Sequence, residues 1–339
     1  MSKKNSIRIG FTVLLAGIFL FLIFRQVKID ELHSAFAAAS WPWYLAAVAS
    51  FIFGYICRIE RWRLMLNSEN QALSWRDCAG PFLSCVAANN VFPFRSGDFL
   101  RSFAFNQRLG ISTGVAVSSL FVERVLDMFA LMLFLSIALF YFDSELINFL
   151  RISGAAALML ALLLFSILLF PSIFRPLLLA MLHFLGRIVP KHEQRLRQEL
   201  DKGLESLTHL AKAHMMMRLV NWTLIAWLAE GCVYWLTALA LPSIINVAAA
   251  WLALPVATLA TLIPSTPGYV GTFDYFSFLS LTALGNSPAS ATAFTLLVHI
   301  ALWLPATAVG AIFLTLGQVK PPQRFNSDAK VDNHGNKLQ

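Results

Sequence analysis

Charge is scarce in this chain. Only 13% of its 339 residues are Asp, Glu, Lys or Arg, about half of the roughly 25% usual in a soluble domain. That scarcity argues against a soluble globular protein and against a disordered chain. Cysteine is scarce too. Cys57, Cys78, Cys85 and Cys232 form no CxxC pair, which excludes a disulfide scaffold and supports neither a zinc nor a redox motif. They read as small apolar packing residues. No HExxH or GxSxG stretch and no metal-ligand cluster occurs, and Ser96 and Ser265 lack an evident nearby base. The chain is therefore expected not to be an enzyme, and to use no metal and no cofactor. What remains is bulky and apolar: 58% hydrophobic residues, 29 Phe and 9 Trp, with mean hydropathy +0.67. The expected class is all-α, a polytopic helical membrane protein.

A helix needs about 20 apolar residues to cross a hydrocarbon core of roughly 30 Å. Apolar runs with little or no charge lie at 9–24, 41–57, 79–94, 114–142, 152–173, 219–240, 244–263, 270–285 and 290–317. They predict about seven full crossings plus re-entrant or broken helices near 79–108 and 262–285. Lys and Arg in short loops set orientation. Lys3, Lys4 and Arg8 place the N-terminus in the cytoplasm, and the first run reads as an uncleaved signal anchor. Arg58, Arg61, Arg63 and Arg76 follow the second run and return the chain there. A full crossing by 79–94 would strand Arg95, Arg101, Arg108 and the basic loop 175–218 outside, so that run is read as entering from the cytoplasm and returning. Region 244–285 is either two crossings or one hairpin. The domain is taken as 1–320, with a disordered cytoplasmic tail over 321–339. One stretch looks soluble, about 191–212. There Leu196, Leu200, Leu204, Leu207 and Leu210 mark one face of an amphipathic linker helix.

Ionisable groups at membrane depth cost about 2.5–3.5 kcal/mol each on insertion scales, so those within the runs stand out. Around Asn90 the run breaks at Pro93, which cannot continue a helix. Gly97 permits a tight bend, and Asp98 would sit in the first turn of a restarting helix. Arg95 and Arg101 are the candidate anion-binding groups, because guanidinium pairs bidentately with phosphate. Glu123, Arg124 and Asp127 form a charged cluster on the next run. It reads primarily as a salt-bridge lock on the re-entrant segment, and also as the charged floor of a polar cavity. A second break holds Pro264, Pro267, Gly268 and Gly271, followed by Asp274. Unwound backbone of this kind is tolerated only inside protein or against water, and it recurs at transporter binding sites. Glu230 lies mid-helix, either protonated or paired with an arginine of a neighbouring helix. His299 reads as a hydrogen-bonded packing residue rather than a proton relay. The two breaks echo each other as apolar run, Pro, Gly, acid, a suggestion of an inverted pair.

Three of these stretches, in this order, resemble the motifs of the lysylphosphatidylglycerol synthase transmembrane family, also called the flippase-like domain family. Its N-x-x-(L/F)-P-x-R-x-G-E-x-x-R pattern is matched from Asn90 to Arg101, shifted by one residue at the Asn. Its E-R-x-x-D pattern is Glu123 to Asp127, and its P-x-x-P-G-x-x-G-x-x-E pattern is Pro264 to Asp274. Asp98 and Asp274 replace the family's Glu, keeping the charge but shortening the reach by one methylene. The best-known relatives are bacterial proteins in which such a domain moves aminoacylated phosphatidylglycerol between leaflets while a separate cytoplasmic domain makes the lipid. No such domain is read here.

The resemblance implies a multi-pass protein of the bacterial inner membrane, with both termini cytoplasmic. It also implies a translocator of a phospholipid or lipid-linked polar headgroup. Substrate-binding candidates are Arg95, Asp98, Arg101, Gly268, Gly271 and Asp274. Asn90, Pro93, Gly97, Glu123, Arg124, Asp127, Glu230, Pro264 and Pro267 form the structural and charge network. The expected partners are membrane lipids or lipid-linked intermediates, with no nucleic acid. The alternative is a non-transporting accessory protein for a membrane lipid- or glycan-modifying enzyme partner, docked on loop 175–218.

Overall fold

The structure, a computed structural model, describes residues 17–23, 25–92, 96–106, 108–142, 147–170, 193–263 and 266–315. These residues form helices and connections, with no strand among them. The helices are α1 (Ile29–Ala37), α2 (Trp41–Leu66), α3 (Trp75–Val91), α4 (Ser96–Phe103), α5 (Thr113–Tyr141), α6 (Ile147–Leu169), α7 (Glu193–Leu210), α8 (Ala213–Ala240), α9 (Ala249–Ala260), α10 (Thr272–Ala283) and α11 (Pro288–Thr315). A 3₁₀ turn, Pro267–Tyr269, lies between α9 and α10. The helices α2, α8 and α11 are long and apolar enough to cross a membrane. The 29-residue α5 is as long but carries Glu123, Arg124 and Asp127 in its first half. Most of the first apolar run, the stretch 171–192 and the tail 321–339 lie outside the described residues.

The second run does not stop at residue 57. No helix breaker follows Gly54, and α2 continues to Leu66. This corrects the reading of Arg58, Arg61 and Arg63 as charges of a cytoplasmic loop. They sit on a helix, and Arg61 is fully buried. The long α2 lies along α8, with Gly54 close enough that a Cβ would meet the Ala226 carbonyl and the Ala229 methyl at 3.4 Å.

Both predicted breaks are present as helical hairpins. Helix α3 starts at a capping box between Ser74 and Asp77, and α4 folds back onto α3. At Gly97 the backbones touch, since a Cβ there would lie 1.8 Å from the Cys85 carbonyl oxygen. The second hairpin pairs α9 with α10. Each has 12 residues, about 18 Å of helix against the roughly 30 Å of a hydrocarbon core. Both helices are shorter than the roughly 20 residues of a full crossing. The hairpins converge on α11. Its Gly310 meets the Leu83 carbonyl of α3, where a Cβ would lie 2.1 Å away, and α10 packs on its other end.

Helix α7 occupies the soluble-looking stretch. It crosses α5 where Gly203 faces Gly114, with Ser118 donating to the Gly203 carbonyl at 3.0 Å. The Glu199 carboxylate accepts the Gly114 N–H at 2.8 Å, in the first turn of α5. Leu210 is buried, while Leu196 is exposed.

Candidate functional site

Four arginines and four acids form four close pairs across α2, α4, α5 and α8, with one longer cross-contact of 3.8 Å between Arg124 and Glu123. Arg58 on α2 pairs with Glu230 on α8 at 2.5 Å. Arg61 on α2 holds Asp127 on α5 bidentately, at 2.7 and 3.2 Å. That carboxylate also accepts the Trp227 indole N–H at 3.0 Å, and Arg61 donates to Thr223 at 2.9 Å. Arg101 on α4 meets Glu123 on α5 at 3.0 Å. Arg124 on α5 donates to both oxygens of Asp98 on α4, at 2.9 and 3.0 Å. The last two pairs clamp α4 onto α5.

Arg101 therefore does not sit where an anion-binding group was expected. It is 4% exposed, its charge is met by Glu123, and its guanidinium lies over the Trp62 and Phe82 rings at 5.2 and 5.3 Å. Its guanidinium is thus desolvated and already partnered. On the opposite face of the same short helix, Phe99 is 65% exposed. A helix that buries its arginine and exposes its phenylalanine has the polarity of a surface facing lipid rather than water.

Asp98 is oriented by Asn89 as well as by Arg124. Its carboxylate accepts from the Asn89 amide at 3.0 Å, and its own N–H donates to the Asn89 side-chain oxygen at 3.2 Å. Asn90 donates to Thr307 of α11 at 2.8 Å. Arg95, Pro93 and Pro264 lie outside the described residues.

A cavity of about 500 Å³ opens between the two hairpins. Arg58, Arg124, Asp127 and Glu230 line one side of it. Asn90 from the first hairpin and Gly268 and Tyr269 from the second line another, and Tyr55, Trp227, Phe273 and Trp303 add aromatic walls. Arg124 is the cavity cation with the most accessible side chain, 40% exposed, against 12% for Arg58.

At the second break Gly268 and Gly271 have φ of +71° and +92°, and Tyr269 has +61°. This left-handed backbone is easy for Gly and costly for Tyr. Asp274 accepts the Gly271 N–H at 2.9 Å, so it caps α10, and it meets His299 of α11 at 2.6 Å. Gly271 and Asp274 shape the break, and Gly268 reaches the cavity wall. Pro267 begins the 3₁₀ turn. Glu230 is resolved in favour of an arginine partner.

Sequence reasoning missed Arg58, Arg61 and Trp227. The available signal was spacing. Arg58 and Arg61 fall at i,i+3 on a stretch with no breaker, so they continue one face of α2.

A family model described as the lysylphosphatidylglycerol synthase TM region matches residues 8–310. No curated protein matches the chain.

Proposed function

The chain belongs to the lysylphosphatidylglycerol synthase TM family and is an integral membrane protein, and on that premise we propose that it translocates a phospholipid or lipid-linked polar headgroup. The observation that carries this reading is the cavity at which two broken hairpins meet. Its polar wall is charged on both signs yet matched pair by pair, so the low-dielectric interior holds it without an uncompensated ion. Such a site accepts a polar headgroup while acyl chains stay in the surrounding hydrocarbon.

In this mechanism Arg124 is the headgroup contact. Its guanidinium is anchored on Asp98 at one edge and accessible to the cavity elsewhere, which suits a phosphate. Gly268 lines the path with backbone rather than side chain. Asp98, Glu123 and Arg101 hold the first hairpin in register. This reading takes both termini as cytoplasmic, in keeping with the basic flanks of the sequence, and the membrane as a bacterial inner membrane, as the family resemblance implies.

A leaflet-exchange assay on protein reconstituted with fluorescent phospholipids tests this. Wild type is expected to exchange lipid, Arg124→Ala to lose most of that activity, and Arg124→Lys to retain part of it. Exchange by Arg124→Ala equal to wild type removes Arg124 from the mechanism. No exchange of any phospholipid or lipid-linked headgroup by wild type overturns the reading.

A further inference from the structure

His299 lies within α11 between two groups that only accept hydrogen bonds. Its Nδ1 is 2.6 Å from Asp274 Oδ1, and its Nε2 is 3.1 Å from the Gly268 carbonyl oxygen. A carbonyl oxygen cannot donate, so this contact is a hydrogen bond only when Nε2 carries a hydrogen. Two lone pairs 2.6 Å apart would repel, so a second hydrogen lies between Nδ1 and Oδ1. With both contacts made as hydrogen bonds the pair holds two protons, whereas a neutral imidazole beside an ionised carboxylate holds one. The count is the same whichever atom owns the shared proton. Asp274 Oδ2 also accepts the Gly271 N–H at 2.9 Å, so the same carboxyl joins the start of α10 to α11.

We propose that His299 and Asp274 form a proton-binding site whose occupancy ties the broken segment 266–272 to α11. The ligand is the proton itself. Removing it leaves a lone pair facing either the Gly268 carbonyl or the Asp274 carboxylate. One of the two contacts must then open, and each holds part of the break. The Gly268 contact fixes the turn, and the Asp274 contact fixes the start of α10.

The segment needs such ties. Gly268, Tyr269 and Gly271 all hold positive φ, and Tyr269 does so against its own side chain. His299 and Gly268 both line the cavity, which gives water and protons access to the pair. The other titratable and charged groups facing that cavity are Tyr55 and Arg58 on α2, Arg124 and Asp127 on α5, Glu230 on α8, and Tyr269 in the turn. Helix α9 contributes only the hydroxyls of Thr258 and Thr261 to its polar lining. The arginines and acids among these are already matched. The His299 ring is also held edge-on by Phe273, with ring centroids 5.2 Å apart.

The site shares the cavity and Gly268 with the proposed transport, but the two are tested separately. The experiment is ¹⁵N-histidine NMR on the full chain in lipid nanodiscs, from about pH 5 to about pH 9, a range that brackets ordinary histidine titration. The chain has seven histidines, so His299→Gln assigns the signal by difference. Backbone hydrogen exchange over 268–275, corrected for intrinsic pH dependence, is read on the same samples.

The expected result is a ring protonated on both nitrogens at the acid end. It loses one proton as pH rises, and exchange over 268–275 quickens at the same midpoint. If His299→Gln does not fold, Asp274→Asn supplies the second arm. It keeps the ring but removes the carboxylate, so ring protonation and exchange over 268–275 are expected no longer to share a midpoint. A ring with a single proton throughout the range overturns the proposal, as does a titration that leaves exchange over 268–275 unchanged. A protein that titrates as expected but moves no lipid overturns the proposed function and leaves the proton site standing.

Discussion

The two broken hairpins repeat one sequence plan and fasten it by different chemistry. Each has an apolar run, a proline, a glycine and an acid. In the first, Asp98 is held by Arg124 and the clamp is doubled by Arg101 on Glu123. Both cations are guanidinium groups, which keep their charge at any ordinary pH. In the second, the corresponding acid Asp274 caps its own helix and meets a histidine, a side chain that, unlike guanidinium, can exist neutral. One hairpin is latched permanently and the other conditionally. Neighbouring helices decide this difference, because the partners come from α5 in one case and α11 in the other.

The strongest way to break the comparison is to disarm the permanent latch. Arg101→Met leaves buried Glu123 only its longer 3.8 Å contact with Arg124, and the expected loss is up to about 3–5 kcal/mol, read as a lowered thermal unfolding midpoint in detergent. A midpoint equal to wild type would show that the clamp does not hold the fold. Close packing comes next. Gly97→Ala must push α4 off the Cys85 carbonyl, at about 1–3 kcal/mol for overpacking, and should also depress leaflet exchange.

At the second break, Gly268→Ala asks a side chain to adopt φ +71° beside the Trp303 indole nitrogen, 2.8 Å from the new Cβ. The conformational cost is about 1–2 kcal/mol. Faster hydrogen exchange confined to the break would mark it as local, whereas a fall in the global midpoint would make the second hairpin as integral as the first. The smallest effect is expected at Lys202→Ala. Its 3.5 Å pair with Glu69 is largely solvent-facing, so unfolding should move by less than about 1 kcal/mol.

Much of this plan was legible in the sequence because breakers and charges are rare within apolar runs. Pro93, Gly97, Pro264, Gly268 and Gly271 announced two interruptions. Glu123, Arg124 and Asp127 announced a cluster that needed partners. Which partner each charge takes was not legible, because pairing depends on which faces of distant helices meet. Arg101 and Arg124 illustrate this. By spacing alone Arg101 beside a break reads as the exposed anion binder and Arg124 as the lock. In the fold Arg101 is driven under Trp62 and Phe82, while Arg124 keeps an accessible edge on the cavity. Arg58 and Arg61 were hidden for another reason. A run defined by absence of charge ends at its first charge, even where the helix and its buried face continue.

The close pairing of arginines and acids has an electrical consequence. A membrane potential does work of about 2.3 kcal/mol per elementary charge per 100 mV on whatever charge it moves across the bilayer. Arg58, Arg61, Arg101 and Arg124 cancel against Glu230, Asp127, Glu123 and Asp98. A rearrangement that keeps those pairs intact carries them through the field as neutral units, so voltage neither drives nor opposes that part of the motion. Any voltage dependence measured across a sealed vesicle would then report the charge of the cargo and of the proton on His299 rather than that of the eight paired side chains.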